Sequence, residues 1–246
     1  MPTVRIWTVE SDYDRDAVEC LATKLVAHLQ LDNLSIQVVG NSALPRPNRQ
    51  GSSLGDILKR ATQNYLRRDA CVIFVIDQDS PMSIHQRRQE PNSLINQVER
   101  VVHDRHFDGK VFLAWAIQEL EAWLLIDCLG IFCYFARQSP QYRTFDRNRI
   151  RQNSAFRRLV DRHQTGNTES IVEAVMGGKG AKEYLEDFSE RILQAINPRM
   201  PQRNISERRY KEAISPEVAE YIDINRETLG RNNSLRHLGD VLAQFN

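Results

Sequence analysis

The sequence predicts an α/β fold, with a parallel sheet covered by helices on both sides and a mostly helical second half. Three observations carry that expectation. Strand-like runs alternate with helical-period segments as βαβαβαβ up to Ala116, the order in which a parallel sheet forms with its helices on the two faces. Residues Ala70–Ile76 (ACVIFVI) are apolar without alternation, as in a strand buried on both faces. From Glu119 onward apolar residues recur at helical spacing, with no further convincing strand.

Val4–Val9 (VRIWTV) is β-branched and aromatic and predicts strand 1. Ala17, Val18, Leu21, Leu25 and Leu29 then lie at helical spacing and predict a helix over Asp14–Leu29. Ser35–Val39 (SIQVV) predicts strand 2, closed by Gly40 and the loop holding Pro45 and Pro47, before an amphipathic helix over Leu54–Leu66. Strand 3 is Ala70–Ile76, and Leu94–Val102 returns to helical period. After the turn residues Asp108 and Gly109, Val111–Ala116 predicts strand 4. In the second half, Ser139/Pro140, Gly177–Gly180, Pro198–Pro201 and Ser215/Pro216 separate helices, with Pro216 suited to a helix start. The expected division is an α/β domain over residues 1–128 with a helical extension over 129–246 packed on it.

Composition narrows the function. Length 246 allows a substantial core without staples. The four cysteines show no CxxC spacing and no secretory leader precedes Val4, so reduced thiols and a cytoplasmic location are expected. No apolar run approaches the roughly 20 residues of a bilayer span, so no membrane association is expected. The net charge of +1 is uneven: residues 1–128 hold 14 Lys/Arg against 17 Asp/Glu, whereas residues 129–246 hold 19 against 15. The two halves are expected to do different work.

In a parallel α/β sheet ligands gather at the carboxyl ends of the strands. Strand 1 runs into Glu10, strand 3 into Asp77-Gln78-Asp79, and strand 4 reaches Glu119 and Glu121 after a short stretch. Residues two apart on an extended segment point the same way, so Asp77 and Asp79 can converge, and Glu119 with Glu121 if that stretch stays extended. Asp14, four residues past Glu10 in the first turn of helix 1, comes back over the same edge. Such carboxylates repel one another unless a cation sits among them. An oxygen-only set favours Mg²⁺ or Mn²⁺ over Zn²⁺. The plainer assignment makes Asp12 and Asp14 helix-start acids and Asp79/Ser80 a turn.

A Glu closing the first strand and an Asp-x-Asp closing the third resemble the Toprim domain of topoisomerases, primases and OLD-family nucleases. Glu10-Ser-Asp-Tyr-Asp14 is similar to the ExxxD form of the first motif, with Ser11 where a Gly is usual, and Glu119-Leu-Glu121 stands where OLD-type nucleases carry a further acidic motif. The string Ile117–Asp127 (IQELEAWLLID), together with ERRYKEAI near the C-terminus, resembles a family of bacterial Toprim-like proteins that often neighbour ABC-type ATPases in phage-defence loci. The resemblance implies a Toprim/Rossmann-like sheet of order 2-1-3-4 with Glu10 and Asp77 side by side, and an Mg²⁺-dependent nuclease acting in antiviral defence, with an ATPase partner. It implies Glu10, Asp77 and Asp79 as catalytic groups, with Asp14, Glu119 and Glu121 completing the metal ligands.

Arg137–Arg162 holds eight arginines against Asp146 and Asp161, interleaved with Tyr142, Phe145 and Phe156. Guanidinium forks suit phosphate and rings can stack on bases, so Arg147, Arg151 and Arg158 are the expected nucleic-acid contacts; a solvated or partner-binding face is the competing assignment. Gly177-Gly-Lys-Gly180 follows no strand and lacks the Ser/Thr of a phosphate loop. His103 and His106 match no zinc spacing. Homodimerisation is expected from the apolar Leu129, Ile131, Phe132 and Phe135 and from the OLD-type likeness. Two other classes compete with a nuclease: a non-catalytic nucleic-acid- or ATPase-binding subunit, and a haloacid-dehalogenase-like phosphatase. The latter leaves Glu10 without a role.

Overall fold

The computed structural model describes residues 1–9, 11–44, 53–77, 88–117, 119–171 and 180–246. They form two compact units, residues 1–117 with 234–246, and residues 118–233. The division falls after Ile117, earlier than the expected 128/129 boundary, and the C-terminal helix belongs to the first unit.

In the first unit β1 (Thr3–Thr8), β2 (Ser35–Val39), β3 (Cys71–Asp77) and β4 (Val111–Ala116) form a parallel sheet of order β2-β1-β3-β4. The parallel α/β sheet is what the element order predicts, and its Rossmann-like strand order is the one the sequence resemblance implies. The register sets Val4 opposite Cys71 and Thr8 opposite Val75, and on the other side of β3 Val72 opposite Val111 and Asp77 opposite Ala116. The helices are α1 (Asp12–His28), α2 (Leu54–Tyr65) and α3 (Leu94–Val102).

Their starts follow from side-chain capping of orphan backbone N–H groups. Ser11 accepts from the backbone N–H of Tyr13 and Asp14, Ser53 forms a capping box with Asp56, and Ser93 caps α3. One face of the sheet (Trp7, Val72, Phe74, Ile76) packs with Leu58, Ile95 and Val98 of α2 and α3. Trp7 stacks on Phe74 at 5.4 Å, meets Tyr65 edge-on at 5.5 Å, and donates its indole N–H to the Gly40 carbonyl at 3.2 Å. Alternation along the strands turns Val4, Ile6 and Ile73 to the opposite face, and all three are fully buried.

The second unit contains α4 (Glu121–Leu124), α5 (Cys128–Arg137), α6 (Arg147–Gln152), α7 (Ser154–His163), α8 (Ala181–Ile196), α9 (Gln202–Arg208), α10 (Ser215–Ala219) and α11 (Arg226–Leu229). Pro216 lies in the first turn of α10, as its position predicts. Ile131, Phe132 and Phe135 of α5 and Leu185, Phe188 and Ile192 of α8 are fully buried.

The last helix, α12 (Asn233–Ala243), explains why the C-terminus returns to the first unit. A Cβ on Gly239 would lie 3.0 Å from a Leu29 methyl and 3.3 Å from a Leu25 methyl, so the glycine brings α12 close against α1. Phe245 then meets Phe112 of β4 edge-on at 5.7 Å. Among the described residues no helix is long and apolar enough to cross a membrane.

Candidate functional site

β3 lies inside the sheet between β1 and β4, and its first six residues are buried. Asp77 is the first polar group the strand presents, half-buried at its carboxyl end. Asp14 is half-buried one turn into α1. Glu10 and Asp79 lie outside the described residues. Ser11 has φ −145° and ψ 148°, ordinary extended backbone, and its hydroxyl caps α1. No glycine is needed there. Asp12 accepts from the backbone N–H and the hydroxyl of Ser42, at 3.1 and 3.0 Å. These bonds, the backbone one foremost, hold its carboxyl below the usual carboxylate range and tie α1 to the loop after β2.

Glu119 and Glu121 do not extend β4. Glu119 has φ 72°, Leu120 is in the right-handed helical region, and Glu121 starts α4. The expected same-side projection from an extended segment therefore does not occur. Each carboxylate has work inside the helical unit. Glu119 Oε2 accepts from Lys182 N at 3.0 Å, in the first turn of α8, whose N-cap Gly180 has no side chain; a carboxylate is favoured at that positive helix end. Glu121 is 6% exposed and accepts from the Tyr210 hydroxyl at 2.9 Å, which also meets Ser215 Oγ at 2.5 Å. Burial pushes the Glu121 carboxyl up from its usual range, and burial beside Glu121 raises the Tyr210 hydroxyl well above its own. The two strings EAW and ERRYKEAI thus meet at one buried hydrogen bond, a pairing that their separation in sequence hides. Among the described residues no group of three or more His, Cys, Asp or Glu is arranged to hold a metal ion.

The arginine segment divides. Arg147, expected on nucleic acid, is turned inward: it pairs with Asp127 (2.5 and 3.1 Å) and with Asp223 (3.0 Å), and donates to the Tyr221 carbonyl at 2.6 Å. Burial works against its charge, but the hydrogen bonds it donates to Asp127 and the charges of Asp127 and Asp223 together outweigh this, so its pKa is raised. Arg137 lies over the Tyr221 ring and Arg149 over Phe145. Arg143, Arg151, Arg157, Arg158 and Arg162 are exposed, with no ion pair among the described residues. Tyr142, Phe145 and Phe156 pack on one another at 4.9 to 6.4 Å, and Phe156 is buried against Phe132. These rings are a core cluster and do not form a stacking platform.

One other expectation changes. Leu129, Ile131, Phe132 and Phe135, the basis for homodimerisation, are 0 to 6% exposed within the helical unit and offer no surface. Burial raises the Cys71 and Cys133 thiols to about 12 and about 11, so neither supplies a thiolate near neutral pH. Comparison with protein-family models, curated proteins and solved structures finds no match to this chain.

Proposed function

We propose that the chain is an Mg²⁺- or Mn²⁺-dependent nuclease acting at the carboxyl edge of its parallel sheet. One observation carries the reading: a strand buried along its length, inside a 2-1-3-4 sheet, ends on the carboxylate Asp77, with Asp79 two residues further in sequence. β1, its neighbour, runs toward the same edge and is followed in sequence by Glu10. Asp77, Asp79 and Glu10, with Asp14, would hold the ion. When bound it supplies charge stabilisation to a phosphodiester under attack. Glu119 and Glu121 are weaker candidates for this set, because each is engaged within the helical unit. Exposed Arg151 and Arg158 supply phosphate contacts.

The test is cleavage of single-stranded and duplex DNA and of total RNA by the full chain in Mg²⁺ or Mn²⁺, alone and with any ATPase encoded beside it. Asp77→Asn and Glu10→Ala are each expected to reduce cleavage at least 100-fold with unchanged circular dichroism. Cleavage that persists in both variants, or without divalent metal, would refute the mechanism. Absence of cleavage under every condition would replace it with the binding-subunit reading.

A further inference from the structure

Two of the exposed arginines do not stand on an open surface. Arg151 at the end of α6 and Arg157 in α7 line a cleft of about 180 Å³ within the helical unit, closed on its other side by Asn225 and Thr228. Phe156, Val160 and His163 bury the inner face of α7, which sets Arg157 and Asp161, four residues apart, along the flank that borders the cleft.

The lining holds as many carboxylates as arginines, so it is not a general cationic patch. What distinguishes its groups is which of them are already used. Asp127 and Asp223 are held by Arg147, and Glu227 is held by Arg231, which also donates to the Ile126 carbonyl. Those pairs set three carboxylates against two guanidinium groups, with Asp127 buried and Asp223 and Glu227 at the exposed rim. Arg151, Arg157 and Asp161 remain, with no ion pair or side-chain hydrogen bond among the described residues.

Two guanidinium groups and one carboxylate around a small polar cleft ask for an anion joined to a hydrogen-bond donor. The volume is below the ~300–1,000 Å³ typical of pockets for drug-sized ligands, which favours one small unit over a bulky ligand. No aromatic residue lines the cleft, so it has no platform for base stacking. We infer that this cleft binds a single nucleotide unit, its phosphate on Arg151 and Arg157 and a sugar hydroxyl or base amino group on Asp161. The unit is either a free mononucleotide or one residue of a strand; in the second case the inference rests on the nuclease reading and names where the strand is gripped.

Binding is measured on the full chain in EDTA, so that loss of the metal-dependent activity and loss of this site are told apart. The probes are inorganic phosphate, AMP, CMP, and single-stranded 12-mers of DNA and RNA, read by calorimetry and by fluorescence anisotropy over a salt series. The double variant Arg151→Ala/Arg157→Ala is expected to weaken binding of the preferred nucleotide probe at least tenfold. For a 12-mer it should flatten the log–log salt slope by about 1.4, at ~0.7 per phosphate contact on a single strand. Arg143→Ala, an exposed arginine of the same segment outside the cleft, is expected to change binding less than twofold. Asp161→Ala separates a nucleotide site from plain surface charge: it should tighten inorganic phosphate and weaken AMP. AMP and CMP should bind alike. AMP within tenfold of the 12-mer identifies free nucleotide as the ligand, and binding of the 12-mer alone identifies a strand. The inference is overturned if no probe binds the wild type, if the double variant binds as wild type, if Arg143→Ala costs as much, or if Asp161→Ala moves phosphate and AMP in the same direction.

Discussion

Replacing Asp127 by Ala tests how the helical unit is held together. The carboxylate is 3% exposed and makes four contacts. Its Oδ1 caps α5 through Gly130 N at 3.0 Å and accepts from Arg147 at 3.1 Å; its Oδ2 accepts from Arg147 at 2.5 Å and from Asp223 N at 2.8 Å. Loss of the cap alone costs ~1 kcal/mol, and a fully buried charge that loses its only partner costs ~3–5 kcal/mol. Arg147 is 27% exposed and keeps Asp223 and the Tyr221 carbonyl, so Asp127→Ala is expected to cost about 2–3 kcal/mol in all, below that range. With a urea m-value of ~2 kcal/mol/M the midpoint moves down by about 1–1.5 M. Arg147→Met removes the cation and keeps the aliphatic packing, and in Asp127→Ala/Arg147→Met neither charge is stranded. The double variant should therefore be more stable than the sum of the single changes predicts, by about 1–3 kcal/mol. Urea unfolding of all four proteins by circular dichroism and fluorescence closes the cycle. A cost for Asp127→Ala below about 1 kcal/mol, no more than a single cap contributes, or strict additivity in the double variant, would refute this account of the pair.

Glu121 gives a pH signature. Burial raises its carboxyl, so its contribution to stability is full below the unfolded value, near 4.5, and is lost as pH rises through the higher folded value. Within that window the loss approaches ~1.4 kcal/mol per pH unit. Glu121→Gln, which can still accept from Tyr210, should match wild type at pH 4.5 and exceed it at pH 8 in chemical denaturation; parallel pH curves would contradict the burial argument. Gly130→Ala should destabilise although alanine is the better helix former by ~1 kcal/mol. Its Cβ would collide with the Tyr221 carbonyl and lie 2.7 Å from Asp127 Oδ2 and 2.9 Å from Arg147 Nη2. A net loss of ~1–3 kcal/mol is expected for such overpacking, read as a drop in Tm; an unchanged or higher Tm would show that α5 can shift away.

The sheet was legible because its physics is local. A run such as Cys71–Ile76, apolar on both faces, has few alternatives to an interior parallel strand, and its apolar character ends at Asp77, where the strand itself ends. Helices α1 to α3 announced themselves by apolar spacing, and the structure adds a Ser at each N-cap. The acidic pair after β4 was misplaced because alternation presumes extended backbone, whereas Glu119 adopts a positive φ that sterics disfavour and local sequence does not advertise. Arg147 reads like its seven neighbours along the chain, since only tertiary structure brings Asp127 and Asp223 to it. The aromatic residues interleaved with those arginines satisfy a stacking pattern and a packing pattern equally in one dimension. Contacts with Phe132 and with one another decide for packing.

The two proposed sites follow opposite electrostatic logic, and this makes them separable. A phosphodiester is repelled by the acids at the end of β3, so their use in catalysis requires a divalent cation, and activity there must vanish with the metal while depending weakly on which residues grip the strand. Arginine contacts need no metal and release counterions when they form, so they govern the salt dependence of affinity. Removing Asp77 should therefore leave the salt slope untouched, and removing Arg151 with Arg157 should leave the metal requirement untouched. A phosphatase working on small monoesters would show the metal requirement without the strand-length or salt dependence. A binding subunit would show the salt dependence without turnover.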